Sequence, residues 1–524
     1  MIPIGIDLGT TYSVIGHVRD DGAIDVIRND EGELLTPSAV FFDDDGSVVV
    51  GREAKNGAPI YPDRTALAIK RQMGRDHHLV FGEHSYRPEG VSAIILRALV
   101  AAASEHLGVP PEQIAAVISV PAYFGVAERE ATAAAAQIAG LQCLDLVAEP
   151  VAAALAYGIS SGETGTVLVY DLGGGTFDAT IVQVTDTGPT VVAVDGSEAL
   201  GGLNFDDRLT DLLLERYVLA SSDEEAADDE DFVARLAGEA EHVKKALTQK
   251  STASAKASRN GSRSMITVTR EEFDKACSDL LDETLTVAER AIAAAVRAGA
   301  PRPSRVVLVG GSTRMPMIAE GLARRFGLPV QVSDPDLAVG KGAAVHARSL
   351  SGRPLQLASG AVVPESARRL QASRPISSVV PRALGIKILD SNDPSGERII
   401  VEHLIPANAP LPVPGVQATF ATIMPDQDRV RVELMEQAGA VASPEAAYNR
   451  RVLDGEIVDI PAGLPAGSQI DITLSVGLDG RLRCAATEPR SGRTLLLESY
   501  VEGVSDSSDV ETQRAVVSGL RLAR

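Results

Sequence analysis

Cysteine is scarce in this chain. Cys143, Cys277 and Cys484 are odd in number and far apart, which argues against a disulfide framework and leaves them as small buried fillers or surface thiols. The eight histidines show no metal-ligand spacing, and adjacent His77 and His78, flanked by charge, read as a solvated loop. Positive charge is in deficit, at −22 overall, which argues against a nucleic-acid carrier with its basic stripe. No apolar run has the length to span a bilayer, and Met1 leads straight into a strand without the regions of a signal peptide. The P-loop pattern GxxxxGK(S/T) is missing, which points away from that nucleotide-binding class. These absences predict a reduced, cytosolic protein.

What is present begins with two glycine-rich hairpins, IGIDLGTTYS (Ile4 to Ser13) and LVYDLGGGTFD (Leu168 to Asp178), about 165 residues apart. Each is an apolar strand, an aspartate, then a turn of glycines and hydroxyl residues. Glycine lets backbone N–H groups approach phosphate oxygens, and threonine hydroxyls add donors. An aspartate at each strand end suits a hydrated Mg²⁺, which prefers oxygen ligands and keeps several waters. Two such hairpins facing one another would clamp a nucleotide triphosphate.

At 524 residues the chain has room for two to four domains. Up to about residue 350, short strand runs at Val117 to Val120, Val167 to Tyr170 and Val306 to Val309 alternate with alanine-rich helical stretches. The helical stretches are Ala127 to Ile138, Val151 to Tyr157 and Val287 to Val296, and the alternation predicts α/β layers. Acidic Ser221 to Asp231 reads as a solvated connection and serine-rich Ser251 to Ser264 as a loop. Ser351 to Ser378 reads as a linker, with a possible short strand at Gly360 to Val363. Beyond it the period changes to two. Eight strands are expected at 383–389, 399–405, 417–424, 429–435, 456–460, 469–476, 481–486 and 494–500, which predicts a β-sandwich. In the tail, Val510, Val517 and Leu520 fall near helical spacing.

Six motifs occur in order at compatible spacings: IDLGTTYS, VPAYF (Val120 to Phe124), AEPVAAALAYG (Ala148 to Gly158), YDLGGGTFD, LGGLNFD (Leu200 to Asp206) and VLVGGSTRMP (Val307 to Pro316). With them the chain resembles the 70-kDa heat-shock chaperones of the DnaK type, within the actin and sugar-kinase ATPase superfamily. The match is strong over residues 2–348 and looser over 379–504. It implies an α/β actin-like ATPase domain of two lobes and four subdomains at 1–350, a linker at 351–378, an all-β sandwich peptide-binding domain at 379–504, and one short C-terminal helix at 505–524 as a rudimentary lid.

The resemblance places Thr10, Thr11, Tyr12, Gly173, Gly174, Gly175 and Thr176 at the phosphates of ATP or ADP. It gives Asp7 and Asp171 a hold on Mg²⁺ through water. Gly201 and Gly202 join the nucleotide set. Lys70, which alone reads as a solvated charge on a helical stretch, matches the lysine reaching the γ-phosphate and attacking water. Glu149, Asp178 and Thr176 are the other candidates near that water, although Glu149 alone could be a helix-start charge. Pro121 and Arg129 resemble the family's relay between nucleotide state and domain docking. Glu241, Lys244 and Thr248 share a helical face and match the base and ribose contacts, where a solvated polar stripe is the bland alternative. Gly310, Gly311, Ser312 and Arg314 match the adenosine turn, and Asp336 matches another nucleotide-side residue.

In the β-domain, Phe420, Val430, Val432 and Ile470 would line a pocket for an apolar side chain, with Leu389 and Ile423 arching over an extended peptide; ordinary core positions are the alternative. The segment aligned with the family's leucine-rich linker is Arg374 to Ser378, and only about twenty residues follow the β-domain, too few for a complete lid. The implied protein is a monomeric, cytoplasmic, ATP-hydrolysing chaperone that binds unfolded segments. Its expected partners are a J-domain co-chaperone and a nucleotide exchange factor, with neither nucleic acid nor membrane among them. A nucleotide-gated binding or exchange module that barely cycles is the alternative. A small-molecule kinase of the same superfamily is a third reading, disfavoured by the sandwich.

Overall fold

The computed structural model describes residues 1–161, 164–185, 188–332, 334–352, 378–439, 441–477, 480–498 and 507–523. Two sheets of the same topology organise the first 350 residues. In one, strands run in the order Gln142–Ala148, Ile114–Val120, Ile2–Asp7, Tyr12–Val18 and Ile24–Ile27. In the other the order is Val330–Val332, Arg305–Val309, Gly165–Leu172, Phe177–Thr185 and Gly188–Ser197. Each combines an antiparallel meander with two parallel strands, so each glycine-rich hairpin occupies the same place in its own sheet.

Each lobe has its own apolar core, and the opposite faces of the sheets share a third, containing Val117, Val147, Val169 and Val307. Helices Glu149–Ser161 and Ala338–Leu350 pack into that shared core through Ala152, Ala153, Val339 and Ala343. Small residues permit the approach. A Cβ on Gly5 would overlap the Ala344 backbone, and one on Gly342 would overlap the Ala152 carbonyl.

Helix Pro88–Leu107 is long and apolar enough to cross a membrane, against the expectation that no run has that length. Its Val91, Ile94, Ile95, Leu96 and Leu99 are buried in the first-lobe core. Cys277 and Cys484 are buried, Cys143 is half-buried, and burial pushes all three thiols up to about 12.

Ser251 to Ser264 is not a loop. Strands Thr252–Arg259 and Ser262–Thr269 pair antiparallel across Asn260-Gly261, both at positive φ, the geometry of a two-residue hairpin turn. Ala255, Ala257, Ile266 and Val268 form the buried face, a period of two masked by the small, polar alternates. Lys70 lies on a 3-10 turn, Ile69–Gln72, rather than on an α-helix, because Ala68 takes a left-handed conformation and breaks the run.

The β-domain has two four-stranded sheets around one core. One orders Ile399–Ile405, Leu384–Leu389, Val430–Gln437 and Asn449–Ile457; the other orders Val413–Ala421, Gln469–Val476, Leu482–Glu488 and Arg493–Glu498. The strand expected at 456–460 is the end of the longer Asn449–Ile457, which the arginines at 450 and 451 obscured in the sequence. The linker's 353–377, with Gly360 to Val363 and most of Arg374 to Ser378, lies outside the described residues.

Helix Ser507–Gly519 and strand Arg521–Leu522 lie against the first lobe, not over the sandwich as a rudimentary lid would. The cause is apolar: Val517 is fully buried in the first-lobe core.

Alanine is ordinarily favoured over glycine within a helix by about 1 kcal/mol. Gly342→Ala is nonetheless expected to destabilise the protein by about 1–3 kcal/mol, because the new methyl must displace a neighbouring backbone. Urea denaturation checks the sign.

Candidate active site

The hairpin loops meet across the crevice between the lobes. A Cβ added to Gly174 would lie 2.9 Å from the Cβ of Thr11, and one on Gly175 would lie 2.9 Å from that of Thr10. Backbone of the second loop is therefore laid against the hydroxyl residues of the first. Gly201, at the start of helix Gly202–Ser221, closes on the same loop: its added Cβ would fall 2.6 Å from the Gly175 carbonyl carbon. The Gly202 and Leu203 amides donate to the carbonyls of Gly173 and Gly174 at 2.9 and 2.8 Å, and Ser312 Oγ donates to Gly173 at 2.9 Å. Gly310, at φ 83°, sits close over Asp171 and Leu172.

Behind the loops, four acids surround one lysine. Lys70 Nζ bonds Glu149 Oε1 at 2.6 Å, both side chains buried, and lies 5.8 Å from the centre of the Phe124 ring. Asp7 accepts from Ser119 Oγ at 2.7 Å, and Asp178 accepts from the Tyr123 amide at 2.9 Å. Asp178 Oδ2 is buried without a hydrogen-bond partner among the described residues. Burial first, and then the charge of Glu149, pushes Asp7 up to about 7, Asp178 up to about 8 and Asp171 well above the usual carboxylate range. One ammonium group cannot neutralise these acids. Thr176 is buried in the same region.

The helix Glu230–Leu247 supplies two of the residues expected at the base and ribose. Lys244 Nζ bonds Asp206 at 2.7 Å and the Gly202 carbonyl at 2.9 Å. Glu241 reaches the other lobe, 2.7 Å from Lys55 Nζ and beside Tyr12 and Lys245. Burial works against its charge, but Lys55 and Lys245 hold its carboxyl down to about 2. Thr248, just past the helix end, donates to the Lys245 carbonyl instead. Arg314 pairs with Asp336 at 2.5 Å, and Gly311 abuts Asp336 as well.

Sequence reasoning passed over Lys55, Arg71 and Asn204. Arg71 donates to the Gly175 carbonyl at 3.0 Å and to Asn204 Oδ1 at 2.7 Å, tying the first lobe to the second hairpin. Its place next to Lys70 was the available signal.

The segment Pro121 to Phe124 connects this cluster to the β-domain. Pro121 accepts from the Phe124 amide and is buried. The Tyr123 ring lies 4.5 Å under the Arg382 guanidinium, which also pairs with Glu198 and lies 3.9 Å from Glu436. Arg450 clasps Glu128 with both nitrogens and bonds Glu436 at 2.5 Å. Glu436 accepts from the Val126 amide at 3.1 Å, so the β-domain caps a helix, Val126–Ile138, whose own N-cap residue is a glycine. Arg129 lies along Gly480 of the β-domain, 3.6 Å from where its Cβ would stand.

Of the residues expected at a peptide cleft, Val432 and Ile470 are buried in the sandwich core, and Phe420 and Val430 pack against it at its margin. Leu389 is half-buried and Ile423 is exposed; neither joins that core.

Comparison with known proteins gives the family. The family model described as Hsp70 protein matches residues 3–81 and 77–518. The chaperone protein DnaK of Thermotoga neapolitana is 34% identical over 499 residues, covering 94% of this chain and 79% of the relative. That of Thermosipho melanesiensis is 34% identical over 498 residues, 94% and 78% of the two chains. That of Thermotoga petrophila is 34% identical over 527 residues, 99% and 83%. With interlocking hairpins, a buried acid–lysine cluster and relatives matched along nearly its whole length, the chain belongs to the Hsp70 family, and it is an ATP-hydrolysing molecular chaperone.

Proposed function

We propose that the first 350 residues form an actin-like ATPase domain that hydrolyses ATP in the interlobe crevice, and that the sandwich binds extended apolar segments of unfolded polypeptide. The observation that carries the nucleotide assignment is the contact of Gly174 and Gly175 with Thr11 and Thr10. Glycine backbone and threonine hydroxyls from both lobes supply the donors a triphosphate needs. Glu241, Lys244, Thr248, Gly310, Gly311, Ser312, Arg314 and Asp336 would hold the nucleoside, with the planar guanidinium of Arg314 against the base.

The donor chemistry fits a hydrated Mg²⁺. Buried oxygen donors are in excess of positive charge, and no three His, Cys, Asp or Glu converge as direct ligands among the described residues. Asp7 and Asp171 would hold it through its waters, and the ion would offset phosphate charge when bound. Lys70 stabilises charge at the γ-phosphate and positions the attacking water, fixed by its bond to Glu149. Once ionised, Asp178, with its unpartnered oxygen, accepts the water's proton, and Thr176 orients it.

Coupling runs from Asp178 through the Tyr123 amide to the ring under Arg382, and then to the ion network of the sandwich. Pro121 and Arg129 flank this route. In the sandwich, Phe420, Val430, Val432 and Ile470 line the pocket and Leu389 and Ile423 form the arch. Backbone bonding gives sequence-tolerant affinity while the pocket sets preference. We place the protein in the cytoplasm as a monomer served by a J-domain co-chaperone and a nucleotide exchange factor.

Lys70→Ala is expected to keep ATP binding by calorimetry and lose about 10²–10³-fold in single-turnover hydrolysis. An extended apolar peptide is expected to raise ATP turnover of the native chain; nucleotide binding without any turnover would overturn the assignment.

Without nucleotide, stability is expected to fall as pH rises from about 4 to 8. Across that window the folded protein keeps protons on Asp7 and Asp178 that the unfolded chain has released. Saturating Mg-ATP should flatten the slope of Tm against pH.

Arg450→Met removes the shared partner of buried Glu128 and Glu436, a change that costs about 3–5 kcal/mol when a buried pair is broken. Small-angle scattering should show a larger radius of gyration, and peptide stimulation of ATP turnover should be lost.

A further inference from the structure

Residues 507–523 pack on the first lobe, against strand Ser47–Val50 and helices Pro88–Leu107 and Val126–Ile138. Main chain and side chains both make the fit. Strand Arg521–Leu522 adds in parallel to the edge of strand Ser47–Val50, pairing Arg521 with Ser47 and Leu522 with Val48, and the Ala523 amide donates to the Val48 carbonyl at 2.9 Å. An open strand edge is thereby covered by main-chain bonds, which hold whatever the side chains are. Helix Ser507–Gly519 lays Val517 into the first-lobe core, the cluster that also holds Val91, Ile94 and Ala135, and Val510, Val516 and Leu520 pack against that core.

The helix end is bonded as an internal one would be. Arg97 donates to the carbonyls of Val517 and Leu520, and so supplies partners for the last turn that the helix itself cannot provide. Gln513 Nε2 donates to the Ser85 carbonyl at 2.9 Å, and Gly90 leaves room for it: a Cβ there would overlap the Gln513 amide oxygen. Arg521 pairs with Asp45 at 2.5 Å.

We propose that this segment is an integral anchor of the ATPase domain rather than a cover for the peptide cleft, and that it stays seated in both the ATP and ADP states. Its contacts belong to one lobe, not to the crevice, so lobe motions carry the segment along instead of releasing it. The sandwich is then held to the ATPase domain by chain at both of its ends. The cleft assignment itself rests on the function proposed above; the anchor does not.

Two measurements on the full chain test this. Hydrogen exchange of 507–523 should be as slow as that of the core helix Pro88–Leu107 with either nucleotide; rapid exchange in either state overturns the anchor. Val517→Asp should lower the first melting transition by at least about 5 °C, while release of a fluorescent apolar peptide stays within about twofold of the native rate, as expected for a segment that covers no cleft. An unchanged melt with accelerated release would show a lid and refute the proposal. If Val517→Asp fails to fold, exchange on the native chain still decides. If the native chain binds no peptide, the cleft assignment falls while exchange and melting continue to judge the anchor.

Discussion

Asp7, Glu149, Asp171 and Asp178 are brought together in a buried crevice around a single ammonium group, Lys70. Ionised carboxylates removed from water repel one another and lose solvation, so these acids hold protons until positive charge arrives. The two lobes exist to hold these groups in place. Each sheet delivers an aspartate from the end of its central strand, and the close packing of Ala338–Leu350 against Gly5 and Ala152 fixes the lobes at the distance where their loops interlock. Under the function proposed above, this electrostatic deficit favours a nucleotide that arrives with its own cation.

The hairpins were legible in the sequence because everything they need is local: an apolar strand, an aspartate, glycines and threonines within a dozen positions. Their recurrence suggested a two-sided clamp, while the matching topology of the two sheets emerged only from the structure. The strand pair around Asn260-Gly261 was missed because its buried face is made of alanines, too small to register as an alternating pattern, although the Asn-Gly turn was in plain view. Lys70 was assigned its neighbourhood by family resemblance alone; the left-handed Ala68 that sets its 3-10 turn has no compositional signature.

Residues whose meaning depends on a distant partner were the hardest to read. Lys55 sits on a short polar helix, and only the fold shows that it faces Glu241 from the opposite lobe. Glu128 and Arg450 are separated by most of the chain and look like surface charges until they are found clasped together in a buried contact. The terminal helix shows the same limit in reverse. Val510, Val517 and Leu520 gave its periodicity, but amphipathic spacing says only that one side seeks apolar contact, not which domain provides it.

The pairing of Ser47 and Val48 with Arg521 and Leu522 also bears on how the protein is made. One sheet thus joins strands that lie hundreds of residues apart along the chain. Contacts so far apart in sequence form slowly, because a long loop must close before they are rewarded. During synthesis the nascent first lobe exposes an unpaired edge and an empty socket where Val517 will sit. Until both are filled, that surface is of the kind that makes incompletely folded chains prone to misassembly.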